Sequence, residues 1–373
     1  MGIFKEMGLR QVINASGKMT ALGATAVNDV IAEALKNGAQ EYVIMDELMV
    51  KAGEDIAGHT GAEDGCPTGG AAAGIAISVA AVIAGEDLSL IERLPASEGL
   101  KNEIIIQKGH LIHFGGNIGQ MITLGGGMVK EVGCANEVLL EHIEGAINER
   151  TAALFYVKSH HAIQKGMVAV EKMLEIAERH QLPLIVDGAA ESDFRQFTEM
   201  GVPIAIYSGG KALGGPTCGF ISGDSRYMEA CRKQYKGIGR AMKVGKEDIA
   251  ALLMALDHYD EQGMPEDEQK KKMESLCMKL ENVPGIAARL IQDEAGRPIY
   301  RAELTIEADT AGISAKEIAK KLEAGNPAIF LRNYYANVGR MQVDPRPLLP
   351  GQEYQIVERI IEIVGTGEKN GRS

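Results

Sequence analysis

The sequence predicts an α/β protein: a doubly wound, parallel-sheet domain followed by a smaller α+β domain. Three observations point there. Five short apolar segments alternate with amphipathic helical patterns through the middle of the chain. Those segments are apolar at nearly every position, as strands covered on both faces must be. From about Lys246 the texture changes to helices with charged outer faces and weaker strand signals.

Taken in order, residues 1–50 are expected to form an arm that packs partly with the small domain. Residues 51–250 form the large domain and 251–373 the small one. Glu103–Gln107, Ala152–Val157, Pro183–Val186, Pro203–Tyr207 and Gly219–Ser222 read as strands, each bounded by turn residues. Between them Glu137–Asn148, Ala169–His180 and Tyr227–Lys233 carry helical spacing. Pro67 and Thr68 read as the start of a Gly/Ala-rich helix. In the small domain, helices are expected at Glu247–Glu261, Gln269–Glu281, Ala315–Glu323 and Gln352–Val364. Strands are expected at Arg301–Ile306, Ala328–Arg332 and Gly339–Val343.

Composition narrows the function. The chain has 373 residues and a net charge of −12, which argues against tRNA or DNA as the main partner, because phosphate neutralisation needs a basic face. The five cysteines, Cys66, Cys134, Cys218, Cys231 and Cys277, are widely spaced and contain no CxxC pair, so neither a disulfide framework nor a zinc site is indicated. The N-terminus has no apolar core of a signal peptide. The longest apolar run, Ala71–Ala84, is too short to span a bilayer. A reduced cytoplasmic protein with no membrane partner is the expectation. His160 and His161 are adjacent, not at i, i+4 spacing, so no metal site is expected.

The most informative segment is SGGKALGGPTCGFISG at 208–223. Lys211 follows a buried strand in a Gly-rich turn. An amine held there loses hydration and becomes a better nucleophile toward a carbonyl. Upstream, Asp187 ends the apolar strand Leu184-Ile-Val, at the strand end where α/β folds bind ligands. A pyridoxal 5′-phosphate (PLP) ring needs a carboxylate against its pyridine nitrogen and a lysine at its aldehyde. Alone, each residue fits a surface loop or a helix cap. Together, in this order, they make Lys211 and Asp187 the catalytic candidates.

Ser208, Thr68, Gly69 and Gly70 are candidates for the phosphate, since small residues at a helix start leave N–H groups open to an anion. His110, and after it His113, follow the 103–107 strand and are candidates to stack on the cofactor ring. An acidic substrate needs cations. Arg346 in VDPRPL and Arg332 in FLRNYY rank first, with Arg240, Arg10 and Lys18 behind them.

The lysine segment resembles the lysine motif of bacterial selenocysteine synthase and its relatives among fold-type I PLP enzymes. RQVINASG, IIIQKGHLIHFGG and GRMQVDPRPL are similar to further segments of that family, so the resemblance runs from about residue 10 to 348. It implies a mostly parallel seven-stranded sheet in the large domain and a homodimer or higher homo-oligomer with active sites at subunit interfaces. Overall length and the lysine segment most resemble a related group of ammonia-lyases acting on a phosphorylated sugar amino acid. That implies loss of the α-proton and then of the β-hydroxyl, releasing ammonia and a keto acid. The selenium enzymes carry an extra N-terminal tRNA-binding domain; with INASG beginning at residue 13, no such domain is expected here. PLP-dependent aldolases, β-lyases and a selenocysteine synthase-like transferase are the alternatives, since the same cofactor residues serve all of them.

Overall fold

The computed structural model describes residues 2–113, 115–159, 162–259, 264–293 and 298–370; within the last helix, side chains are described as far as residue 365. His160 and His161 lie outside the described residues. The chain forms two compact units, one of residues 1–22 with 262–373 and one of residues 23–261. The expected arm therefore divides. Its first part carries strand β1 (Val12–Ala15) into the small unit. The remainder belongs to the large unit, where the Asp29–Gln40 helix packs along the Lys246–Asp257 helix.

The large unit is built on seven strands: β2 (Asp64–Thr68), β3 (Glu103–Gln107), β4 (Met128–Val132), β5 (Thr151–Val157), β6 (Leu184–Asp187), β7 (Ile204–Ser208) and β8 (Gly219–Gly223). Their order is β2-β8-β7-β6-β5-β3-β4. The neighbours from β7 through to β4 are parallel, and β8 is antiparallel to both β7 and β2. The central strands are apolar because helices cover both faces: Ile104–Ile106, Leu154, Phe155, Leu184–Val186, Ile204 and Ile206 have no solvent exposure. Val170–Arg179 buries Met173 and Ile176 and turns its charged residues outward. Ala71–Ala84 is apolar all round and is largely buried, packing on the sheet and on the Ser225–Lys233 helix.

Three expectations change. Pro67 and Thr68 end strand β2, and the helix starts later, at Ala71, with Gly70 as its N-cap. β2 is the outer strand beside β8, where proline costs no ladder bond to a second neighbour. The expected 137–148 helix is only Leu140–Glu144; Gly145 ends it, and Asn148 Oδ1 accepts from Arg150 N at 2.8 Å to turn the chain into β5. The Lys246–Asp257 helix stops short of 261, and residues 260–263 lie outside the described residues.

The small unit pairs β1 in parallel with β11 (Ala328–Leu331). A second sheet runs β12 (Arg340–Val343), β10 (Tyr300–Ile306), β9 (Ile286–Gln292), all antiparallel. A bridge between Arg332 and Gln342 joins the sheets. The Ala315–Glu323 helix begins with a capping box: Ser314 Oγ accepts from Glu317 N, and Glu317 Oε2 accepts from Ser314 N. Met273, Leu276, Leu304, Ile318, Leu322 and Ile356 fill the core of this unit. Among the described residues no helix is long and apolar enough to cross a membrane.

Candidate functional site

In the large unit, the ends of β6, β7, β8 and β2 bring the predicted residues to one edge of the sheet. Asp187 is the last residue of β6 and Ser208 the last of β7. Gly219, which starts β8, pairs with Ser208 on one side and with Thr68 on the other. Ser208, Gly219 and Thr68 thus lie side by side across three strands. A Cβ at Gly219 would stand 2.6 Å from Tyr207 O, 2.9 Å from the Gly70 carbonyl carbon and 3.0 Å from Ala71 N. Only glycine lets β8 pass this close under the first amide of the Ala71–Ala84 helix. Gly69 and Gly70 link Thr68 to that helix, whose first residues are partly open to solvent. Its leading N–H groups have no partner within the helix and carry the positive end of its dipole. A helix start of this kind can hold an anion such as the phosphate of PLP.

Lys211 stands in a turn held at several points. Gly209 N donates to Cys218 O at 2.8 Å, Gly215 N to Gly209 O at 2.8 Å, and Gly214 N to Lys211 O at 3.1 Å. Thr25 Oγ1 donates to Gly210 O at 2.8 Å. Asp187 is buried, and burial pushes its carboxyl above the ordinary value, opposed by the Lys211 charge and by the Ala189 N–H at 3.1 Å. The carboxylate therefore feels the lysine, but burial outweighs that charge, and a further cation against the carboxylate would stabilise it as a buried anion. A protonated ring nitrogen would supply that charge, so the residues present fit PLP.

His110 does not lie as a stacking ring would. It is completely buried, edge-to-face on Tyr156 with ring centroids 4.5 Å apart, and its Nδ1 accepts from Val157 N at 3.2 Å. Neither face is open to a ligand. Burial brings its pKa down to about 4, so the ring is neutral and packs β3 against β5. His113 is exposed, in a cleft of about 730 Å³ with Leu111, Asn117, Gln120 and Glu131. It is the histidine of the two that a ligand can reach. Arg240 lies in the large unit, exposed on the Ile238–Met242 turn, and the carbonyl of Met242 would be 2.9 Å from a Cβ on Gly69.

In the small unit, Arg346 and Arg332 belong to one group of charges. Arg346 binds the Asp344 carboxylate through two nitrogens, Nε to Oδ1 at 2.9 Å and Nη2 to Oδ2 at 2.7 Å. Arg301 donates to Asp344 at 3.1 Å and to Asp293 at 2.7 Å. Burial alone would raise the Asp344 pKa, but Arg346 and Arg301 outweigh it and hold it at about 2. Arg10 is engaged elsewhere, and the expectation that it binds substrate is corrected accordingly. Its Nη1 donates to Glu323 O at 3.0 Å and Gly325 O at 3.3 Å, capping the carbonyl end of the Ala315–Glu323 helix. Asp344 and Arg301 were absent from the sequence candidates; Asp344, two residues before Arg346 in VDPRPL, was the available signal. Among the described residues no group of three or more His, Cys, Asp or Glu is placed to hold a metal.

Because its folded pKa is depressed, Asp344 contributes stability above its unfolded pKa, and that contribution is lost as pH falls from about 4 to about 2. We expect it to be on the order of 2 kcal/mol. Urea unfolding of wild type and Asp344→Asn should show a gap at neutral pH that narrows through this range. A gap that does not change with pH would contradict the assignment.

The chain resembles known proteins over nearly its whole length. It is 42% identical to 5′-C-glycyluridine monooxygenase-decarboxylase of Streptomyces sp, covering 97% of this chain and 92% of that one. It is 41% identical to D-glucosaminate-6-phosphate ammonia lyase of Salmonella typhimurium, covering 97% of each. A solved structure of D-glucosaminate-6-phosphate ammonia-lyase superposes with a TM-score of 0.94 at 39% identity, over 99% of both chains. Residues 12–323 match the model of one protein family, and by that match the chain belongs to SelA, the family described as L-seryl-tRNA selenium transferase.

Proposed function

We propose that this protein is a PLP-dependent ammonia-lyase that converts D-glucosaminate 6-phosphate to 2-keto-3-deoxygluconate 6-phosphate and ammonia. The observation that carries the reading is that Asp187, at the end of β6, feels the charge of Lys211 in the turn after β7, with the start of the Ala71–Ala84 helix reached through Gly219 of β8. The likeness to the ammonia lyase over 97% of both chains supports the substrate. When bound, PLP supplies an aldehyde for the substrate amine and a ring that accepts electrons from Cα. In this reading, the Ser208 hydroxyl and the N–H groups after Gly69 and Gly70 hold the cofactor phosphate, while the buried Thr68 hydroxyl, predicted to join them, donates instead to Gly70 O at 3.0 Å and shapes the turn. Asp187 faces the ring nitrogen. The Lys211 amine takes the α-proton, and it or His113 returns a proton to the departing hydroxyl, which leaves poorly without one. Arg346 and Arg332, with Arg240 behind them, hold the acidic groups of the substrate.

The acidic balance of the chain supports a small-molecule substrate over a tRNA. A homodimer or higher homo-oligomer is part of the reading; the exposed apolar residues Ile3, Phe4, Met7 and Tyr42–Met45 support it. A cytoplasmic location follows from a catabolic role.

The second reading is oxidative decarboxylation of a glycyl-bearing nucleoside, favoured by the 42% identity to the Streptomyces enzyme. One experiment separates the two. The purified protein is mixed with D-glucosaminate 6-phosphate with and without oxygen, and absorbance and keto-acid release are followed together. We expect a PLP band that shifts on mixing and keto acid formed at the same rate without oxygen. A PLP band indifferent to this substrate, with turnover of 5′-C-glycyluridine only in oxygen, would replace the first reading by the second. No PLP band after adding PLP would remove both.

A further inference from the structure

The turn that follows β1 has no part in the chemistry described so far, yet it is built around charge. Ser16 N donates to Asn14 Oδ1 at 3.0 Å, and Asn14 Nδ2 donates to Gly17 O at 2.7 Å. Gly17 has φ +95°, and a Cβ there would lie 3.2 Å from Asp344 Oδ2 and 3.6 Å from Arg346 Nη2. The backbone of the turn is thus pressed onto the Asp344–Arg346 pair, and Asp344 N donates to Ala15 O at 2.8 Å. Arg332 Nη1 reaches the same turn, at Ser16 O and 3.4 Å, while its buried Nε has no hydrogen-bond partner among the described residues. Lys18, the next residue, is partly buried where it feels both Arg346 and Asp344.

Four cations, Lys18, Arg301, Arg332 and Arg346, gather here around two carboxylates, Asp293 and Asp344. Asp293 is held by Arg301, and Asp344 is shared by Arg301 and Arg346. Among the described residues these six side chains sum to two positive charges, in a chain of net charge −12. The mutual repulsion registers on its members. Burial and then the Arg301 charge lower the Arg332 pKa; burial and then the Arg346 charge bring Lys18 down to about 8, with Asp344 opposing. A bound dianion would relieve that repulsion, whereas a single carboxylate would relieve half of it.

We propose that the Asn14–Lys18 turn, with Arg332 and Arg346, forms a site for a phosphate monoester, and that Lys18 makes it prefer this dianion to a carboxylate. The proposal rests on the reading of the substrate as a phosphorylated sugar amino acid and names the group that is bound here. The chemistry fits. A carboxylate is satisfied by one guanidinium fork, while a phosphate monoester carries close to two charges and three acceptor oxygens. Two guanidinium groups and an ammonium match it.

The test is calorimetric titration of the full-length, PLP-loaded protein with sulfate, which stays a dianion across the range used, and with acetate. Lys18→Met should weaken sulfate binding about tenfold or more and change acetate binding less than about twofold. In wild type, sulfate affinity should fall between about pH 7 and about pH 9 as Lys18 loses its proton. In Lys18→Arg, affinity should persist across that range, because the guanidinium stays charged. The Lys18→Arg result decides the matter if the Met variant fails to fold. Wild-type sulfate affinity in Lys18→Met, an unchanged pH fall in Lys18→Arg, or no sulfate binding by wild type would overturn the proposal. Binding is read without turnover. Lysine-dependent sulfate binding with no keto acid from D-glucosaminate 6-phosphate would overturn the lyase reading and leave the dianion site standing. Turnover with an unchanged KM in Lys18→Met would do the reverse.

Discussion

Replacing Lys211 with alanine is expected to remove the visible-edge absorbance of the purified protein and to lower turnover by roughly 10²- to 10⁴-fold from loss of the base alone. Three features of the turn carry this expectation. The turn is closed by main-chain bonds at Gly209, Gly214 and Gly215 and tied to Thr25, so the variant keeps its backbone. The lysine charge is felt at Asp187, as one site shared by the amine and the carboxylate requires. The residue is only partly buried and lies outside the apolar core of the large unit. Thermal unfolding of the cofactor-free variant should therefore stay close to wild type. Lys211→Arg is the informative companion. It keeps a cation near Asp187 but cannot give or take a proton at neutral pH. It should bind PLP weakly and turn over no faster than the alanine variant. A Lys211→Ala protein that is isolated yellow and releases keto acid at the wild-type rate would sink the assignment.

What was legible in the sequence depends on what each residue must satisfy. Strands β6 and β7 sit in the middle of the sheet with both faces covered, so each is apolar throughout and stands out beside its turn residues. Asp187 and Lys211 are visible because they break that pattern at the strand ends. β4 is an outer strand with a partly exposed, polar sequence, Met-Val-Lys-Glu-Val, and has no comparable signal. β9 alternates buried and exposed residues in an Arg-containing segment and was likewise missed. Pro67-Thr68 carries a helix-start signature, but the pairing of β2 with β8 decides the conformation, and that pairing joins residues more than 150 positions apart. His110 illustrates a different limit. A histidine after a strand looks the same whether its face meets a ligand or a tyrosine, and here it meets Tyr156. The Asp344 group was hidden for a similar reason. Arg301 stands 43 residues before Asp344, and only the β10–β12 register brings them together.

Asp187→Asn separates the catalytic from the structural role of the buried carboxyl. In the folded protein its pKa lies above the unfolded value, because burial outweighs the Lys211 charge and the Ala189 N–H. The sign follows directly. Above the unfolded pKa an ionised Asp187 costs folding stability, and the cost disappears when the group is neutral. Asparagine is neutral at every pH, and its Oδ1 can keep the 3.1 Å bond from Ala189 N. The cofactor-free Asn variant should therefore unfold at the same temperature as wild type or higher at neutral pH, with the difference vanishing toward acid. Activity should move the opposite way. Without a carboxylate at the ring nitrogen, the ring is a poorer acceptor for the electrons left at Cα. Loss of one such preorganised charge costs on the order of 10²- to 10³-fold in kcat. PLP affinity should fall as well, since the buried carboxylate and the ring charge would no longer neutralise each other. A variant that is both less stable and fully active would mean that Asp187 is a structural residue of β6 and that the cofactor, if bound, lies elsewhere. A variant that is stable, weak in PLP binding and nearly inactive would give the carboxyl the role its position predicts. Because the two readouts are expected to move in opposite directions, a general loss of folding cannot imitate the result.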